Sequence, residues 1–233
     1  MSKRTCTQLR NIVARDAGDM STTGLARAVE AINAAQEMLA DFHKWNDLKR
    51  SGTLALTAGT RTYATSLISG ITEDLDEIYG LRYIRTRKAI PIKYIMNEDN
   101  WWDVYDDDSS GGDPENFRII DNEIEFDIIP NSNFVTNYSP IKVQARILPT
   151  ALDTTTNNST DFSQRFEQLI MTMAKEIVLG NQEDFPAMQF FSLEAQRIYK
   201  ALRKRDMFSA RNSRTLRIRK DVGYSFRNRR SGY

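Results

Sequence analysis

The residues best suited to chemistry lie near the C-terminal end of the chain. Residues 203–233 hold eleven Arg or Lys against Asp206 and Asp221, a net charge of +9. Arg211, Arg214, Arg217, Arg219 and Lys220 recur at nearly every second or third position. Arg227, Arg229 and Arg230 follow, and Phe208, Tyr224, Phe226 and Tyr233 are interleaved with them. Guanidinium groups make forked, charge-assisted hydrogen bonds to carboxylate or phosphate, and aromatic rings supply large apolar anchors. Three uses fit this mixture: a solubilising tail, a nucleic-acid contact that neutralises phosphate and stacks bases, or insertion into an acidic groove of another protein. With only Leu216, Ile218 and Val222 as aliphatics, the segment cannot bury enough apolar surface to fold alone. It is expected to be disordered until it meets a partner.

The opposite charge is concentrated upstream. Residues 98–127 carry twelve acids against Arg118, a net −11. The run Asp106, Asp107, Asp108, Ser109, Ser110, Gly111 begins like a calcium loop, with glycine at the sixth position. The bidentate acid needed at the twelfth position is instead Phe117. A solvated acidic loop is the reading that survives, and no metal is expected. Many carboxylate pairs are available for hydrolysis, but spacing alone cannot raise one pKa and lower another. His43 would need a nucleophile and an orienting acid to act as a base, and the chain has no Gly-x-Ser-x-Gly elbow; a packed or interfacial histidine is expected. Neither phosphate-cradling glycine motif occurs, and Gly111 and Gly112 sit among acids that would repel phosphate. No cofactor is expected and the chain is read as a non-enzyme.

Composition bounds what can position these segments. A chain of 233 residues with 40% hydrophobic and 27% charged residues suits one domain with an excursion, or two small ones. No stretch reaches the roughly 18 apolar residues of a membrane span, and no apolar segment follows the N-terminal charges as a secretory signal would require. The single Cys6 excludes an internal disulfide, and with the single His43 it leaves too few soft ligands for zinc or an iron–sulfur cluster.

The hydrophobic period then divides the chain. Leu9, Ile12 and Val13 predict a helix over 7–17. Ser21 to Thr23 supply a cap for a long helix to about Arg50, with Leu25, Val29, Ile32, Gln36, Leu39 and His43 on one face and Ser51 and Gly52 as the stop. From 53 the period is two, giving strand-like runs at 53–57, 61–65, 76–85, 117–120, 123–129 and 141–148, with Asp121 and Asn122 in a tight hairpin and residues 130–133 as a turn. Ile92, Ile95, Met96, Trp102 and Tyr105 follow Pro91 at helical spacing and predict one interrupting helix over 92–105. After a Thr- and Asn-rich linker, Phe162, Phe166, Leu169, Ile170, Met173, Ile177 and Val178 form an apolar helical stripe, with Asp161 and Gln164 at capping-box spacing. Pro186 opens a last helix through Met188, Phe191, Ala195, Ile198 and Leu202, ending near Leu202. These stripes are read as core. The expected fold is α+β: a helical bundle from 1–52 and 151–206, a small β module inserted at 53–150, and a basic C-terminal extension at 207–233.

The order of these pieces resembles the head-to-tail adaptors (tail tubular protein A-like connectors) of short-tailed and related bacteriophages. The resemblance is carried by AINAAQEM at 31–38, WNDL at 45–48, TLALTAGTRTY at 53–63, Trp101 with Trp102, GDPENFRI at 112–119, IPN at 129–131, the paired helices and the basic tail. It implies a structural virion protein without catalysis, assembled in the host cytoplasm and located at the head–tail junction. It further implies a ring, usually a dodecamer, below the portal protein. That ring would extend the channel for double-stranded DNA and offer surfaces to the tail nozzle protein and tail fibres, with the C-terminal extension docking on the portal. The acidic residues of 98–127 could line such a channel, since negative walls keep phosphate from adhering, or could face outward. The alternative reading is a nucleic-acid-binding scaffold protein that uses the basic tail.

Overall fold

The computed structural model describes residues 3–106 and 111–227, with side chains as far as Asp206. It is a mixed α+β protein. The chain separates into two compact units, Met1–Asp47 with Ala151–Tyr233, and Leu48–Thr150.

The first unit contains α1 (Cys6–Asp16), α2 (Thr22–Phe42), α5 (Gln164–Asn181) and α6 (Phe185–Arg227). α5 packs against the other three helices, and α1 also packs on α2. At the start of α1 the Gln8 side chain accepts from the Thr5 N–H at 3.1 Å. At the start of α2 the Ser21 hydroxyl accepts from the Gly24 N–H at 3.0 Å, satisfying a donor that has no partner inside the helix. Gly24 is required here because a Cβ would lie 2.3 Å from the Asp19 carboxyl carbon. The apolar stripes predicted for α1, α2 and α5 form the core, with Leu9, Val13, Ile32, Leu39, Phe162, Phe166, Leu169 and Ile170 all buried, while Ile177 is only half-buried.

Several boundaries differ from the sequence expectation, each for a tertiary reason. α2 stops at Phe42 rather than near Arg50, and His43 is extended at φ −163° and ψ 146° instead of continuing the helical face. The cause is Trp45. Its indole N–H donates to the Leu39 carbonyl at 2.7 Å, one of the carbonyls a helix end leaves unpaired, and its ring is 0% exposed. The N-cap of α5 is Ser163, not Asp161 with Gln164 in a capping box. The Ser163 N–H donates to the Asp47 carboxylate at 2.8 Å. α6 does not end near Leu202 but runs to Arg227. Arg, Lys and Leu extend a helix at little cost once it is nucleated, and the first glycine after Leu202 is Gly223. The disorder expected from 207 is not confirmed, since the backbone is helical as far as Arg227. The side chains from 207 to 227, and residues 228–233 entirely, lie outside the described residues.

The second unit is one eight-stranded sheet in the order β2-β7-β6-β5-β4-β8-β1-β3. Its strands are β1 (Lys49–Leu54), β2 (Thr62–Ala64), β3 (Ile68–Ser69), β4 (Leu75–Arg85), β5 (Lys88–Tyr94), β6 (Asn116–Ile120), β7 (Glu123–Phe126) and β8 (Ile141–Ile147). All neighbours are antiparallel except β5 and β6. β8 alternates cleanly, with Ile141, Val143, Ala145 and Ile147 buried. On β4 a register shift between Ile78 and Gly80 moves the inward face from Ile78 to Leu81. Gly52, read from sequence as a helix stop, lies inside β1, where a Cβ would meet Ile68 Cγ2 at 2.6 Å and the Ser69 carbonyl oxygen at 2.8 Å.

The helix predicted over 92–105 is mostly absent. Ile92 pairs with Leu81 in β5, and only Glu98–Trp102 is helical, as α3. The misreading arose because the β4–β5 hairpin turns at Thr86 and Arg87, with φ of 47° and 65°, and neither residue belongs to the types that favour positive φ. The Asp121–Asn122 turn, with φ of 50° and 63°, does join β6 to β7. The turn expected at 130–133 is the start of α4 (Ser132–Tyr138), capped by the Asn131 carboxamide oxygen accepting from the Phe134 N–H at 2.8 Å. Phe134 enters the sheet's core and meets Tyr83 edge-on at 5.1 Å.

Trp45→Ala is expected to destabilise the protein by about 3–5 kcal/mol, the usual cost of emptying a buried aromatic site. Trp45→Phe, which keeps a ring but removes the N–H to Leu39, should cost about 1–2 kcal/mol. Chemical denaturation midpoints of the two variants measure the difference.

Candidate interaction surfaces

Buried charged groups are where catalysis would be sought first, and those among the described residues of the helical unit, Glu167, Lys175 and Asp206, have structural partners. Glu167, 1% exposed, accepts from the Arg4 backbone N–H and from its guanidinium, both at 2.9 Å. Lys175 pairs with Asp16 at 2.7 Å and lies 5.4 Å from the Phe191 ring centre. The hydrogen bond from Lys175 holds the Asp16 carboxyl below the ordinary aspartate range, against the opposing effect of burial. Sequence reading missed Glu167 and Lys175 as buried charges, because each sits on a helix whose periodicity marks faces and not partners.

A second cluster gathers around Asp206, the last residue of α6 with a described side chain. Its carboxylate lies 3.3 Å from His43 Nε2, accepts from Asn46 Nδ2 at 3.1 Å, and is 3.8 Å from the Arg165 guanidinium. Arg165 also donates to Asp47 at 2.9 Å. His43 stands edge-on to Trp45 at 4.5 Å, so it is a packed histidine with a polar partner. Trp45 in turn meets Phe166 of α5 at 4.9 Å and Tyr199 of α6 at 5.9 Å. The cluster clamps α6 to the end of α2 at the point where the basic segment starts.

Beside this clamp the unit is open. A groove of about 380 Å³ between α2, α5 and α6 is lined by Met38, Phe42, Leu169, Met173, Ala195 and Tyr199, with Glu176 at its edge. Met38 and Phe42 are exposed, as are Phe190 and Leu193 on α6. Met173 and Ala195 are buried as the sequence reading expected, whereas Met188, Phe191 and Ile198 of the α6 stripe are only half-buried.

In the sheet unit the acids of 98–127 are not equivalent. Asp127 is buried and accepts from the N–H groups of Glu115, Asn116 and Ile128 at 3.0–3.3 Å and from Asn116 Nδ2 at 2.7 Å. Glu125 accepts from Arg118 at 2.6 Å, and the Arg118 guanidinium lies 4.6 Å and 5.4 Å from the ring centres of Trp101 and Trp102. Asp127 and Glu125 thus have structural duties, while Glu98, Asp99, Asp103, Asp106, Asp113, Glu115, Asp121 and Glu123 are exposed. Asp107 and Asp108 lie outside the described residues. Among the described residues no three His, Cys, Asp or Glu side chains gather as a metal site, and no helix is long and apolar enough to cross a membrane.

Of the residues expected to bind a partner, Phe208, Arg211, Arg214, Arg217, Arg219, Lys220, Tyr224, Phe226 and Arg227 lie on the distal part of α6 with side chains outside the described residues. Arg229, Arg230 and Tyr233 are outside them altogether. What the described residues offer for association is an apolar groove, an exposed apolar edge and a set of exposed carboxylates.

That is the equipment of a structural adaptor, and comparison with known families gives the class. A family model described as SU10 adaptor protein matches residues 4–219. The chain belongs to this family, a phage head-to-tail adaptor family, and is a structural component of the virion at the head–tail junction. No curated protein matches the chain.

Two outcomes test the polar contacts. Because the folded Asp16 carboxyl is held below its ordinary pKa near 4, its pairing contributes stability above that pH, and this is lost as pH falls through the depressed folded value. Thermal melts from pH 7 to pH 2.5 should therefore show a steeper acid loss in the native chain than in Asp16→Asn. Asp206→Ala should lower stability by about 1–3 kcal/mol, since it strands the Asn46 amide and His43; urea titration at pH 7 measures it.

Proposed function

We propose that this adaptor assembles as a dodecameric ring beneath the portal protein, extends the DNA channel, and links it to the tail nozzle protein and tail fibres. Double-stranded DNA passes through without sequence-specific binding. The helical segments 1–52 and 151–206 form the ring body, the insert 53–150 offers its exposed carboxylates to the channel or the tail, and the extension 207–233 docks on the portal. The observation that carries this reading is that the family match reaches residue 219. The match spans Arg211, Arg214, Arg217 and Arg219, which supports reading them as a working part of the adaptor. The clamp at Asp206 supports it as well, because it fixes the position from which the basic segment departs. Pure protein is expected to sediment as a monomer or weak associate and to form rings only on portal.

The extension is the place to test. Deleting residues 207–233 should leave the rest folded, since the last described core and clamp residues of α6 are Leu202 and Asp206, and should abolish or greatly weaken attachment to purified portal rings. Changing Arg211, Arg214, Arg217 and Arg219 to Gln should cost affinity mainly at low salt, where the Debye length is about 30 Å at 0.01 M. Changing Phe208, Tyr224, Phe226 and Tyr233 to Ala should cost affinity about equally at all salt concentrations, because buried rings are not screened. Unchanged docking of the truncated chain would remove the portal assignment. A stable complex with free duplex DNA and none with portal would favour a nucleic-acid-binding scaffold.

A further inference from the structure

α6 carries apolar residues on two sides, and the rest of its unit covers only one. Ala195 and Leu202 are buried, whereas Phe190 and Leu193 are 63% and 69% exposed. At about 100° per residue, Leu193 is about 200° and Phe190 about 140° around the helix from Ala195. Phe190 is about 120–180° from Ser192, Ala195, Gln196 and Tyr199 of the groove wall and stands on the far side, next to exposed Pro186 and Arg197, whereas Leu193 stands on the flank, about 60° from Gln196. The groove is on the near side, with Met38 and Met173 in its wall and Glu176 at its edge.

We infer that the Phe190–Leu193 ridge of one copy seats in the Met38–Met173 groove of the next. The inference rests on the ring reading above and names the surface that would make the ring. A cavity of about 150 Å³ already admits benzene, so a groove of about 380 Å³ has room for the Phe190 ring and the Leu193 side chain beside it. On the Leu193 side the charges are complementary, because Arg197 follows Leu193 by one turn while Glu176 lines the groove; Glu194 follows Phe190 by one turn and must face away from Glu176 in the pairing. The geometry also sets the symmetry. A two-fold contact needs ridge and groove on the same side of the molecule, so that both can engage the same neighbour. Here Phe190, the tip of the ridge, is on the opposite side of α6 from the groove, so each copy receives one neighbour and enters another. Such head-to-tail contacts close into rings when the rotation allows it. One phenyl ring and one leucine are a small part of the roughly 1,200–2,000 Å² that a stable interface buries, which accounts for assembly on a template and not in free solution.

Cross-linking tests the pairing directly. Full-length chains carrying Leu193→Cys, Met38→Cys or both are loaded on portal rings and oxidised; native Cys6 is buried and does not compete. The double variant should give a ladder of covalent oligomers, an equal mixture of the two single variants should give dimers only, and neither single variant alone should cross-link. Covalent dimers from Leu193→Cys alone would mean that ridge meets ridge across a two-fold axis and would overturn the proposal. Rings visible on portal by electron microscopy with no cross-link in the double variant would overturn this interface while the ring reading stands. Failure of the native chain to form rings on portal would remove both. As a second measurement, Phe190→Asp with Leu193→Asp should keep the native circular dichroism and melting temperature, since both side chains are exposed, yet form no rings; rings that persist would overturn the proposal.

Discussion

The buried indole of Trp45 is the contact on which the helical unit depends. Its N–H binds the Leu39 carbonyl and thereby decides where α2 ends. Its ring faces meet His43, Phe166 and Tyr199, which places three separate stretches of chain around one side chain. The hydrogen bond matters beside the area buried, because an indole N–H left unpaired in a core costs about 1–3 kcal/mol, more than the roughly 0.5–1.5 kcal/mol net that a bond contributes. Because α2 ends at Phe42, Asn46 and Asp47 lie in a separate 3-10 turn, Asn46–Leu48. They can then reach Asp206, Arg165 and the first turn of α5.

From that junction a polar clamp follows. Asp206 is nearly buried, and a carboxylate is tolerated there only because His43, Asn46 and Arg165 surround it. The clamp has a functional consequence, since α6 is held up to the residue where the basic segment begins. Along its earlier half α6 packs on α5 but leaves one side uncovered by the described residues. Ala195 and Leu202 are its buried apolar residues, and Phe190 and Leu193 are exposed. Such a helix gains less from its own unit than its composition allows, which is the condition under which a second copy can complete the burial.

The sheet unit solves a different problem, namely how an acidic segment can belong to a folded domain. Two of its carboxylates are neutralised locally, Asp127 by backbone N–H groups and Glu125 by Arg118. Arg118 is itself held against Trp101 and Trp102. The remaining described acids face solvent, where like charges are screened and hydrated. The segment therefore combines a small internal network with a set of exposed carboxylates, and only the latter is available to a partner.

Periodicity in the sequence by itself determined α1, the stripes of α2 and α5, the strands β4, β6 and β8, and the Asp121–Asn122 hairpin, because each is set by local spacing and turn chemistry. The acidic and basic segments, and the family resemblance, were likewise legible, since they depend on composition and order alone. Tertiary structure decided what local spacing could not: the end of α2 by a tryptophan three residues beyond it, the strand role of Gly52 by the close approach of Ile68, and the strand role of Ile92 by a hairpin built from Thr86 and Arg87. It also decided that Asp206 is a clamp and that Leu193 is an edge. The end of α2 is set by a nearby side chain that periodicity does not register; in the other cases the deciding contact is distant in sequence or the backbone adopts a conformation its residue types do not advertise. A one-dimensional pattern carries the period of a segment but not the identity of what will pack against it.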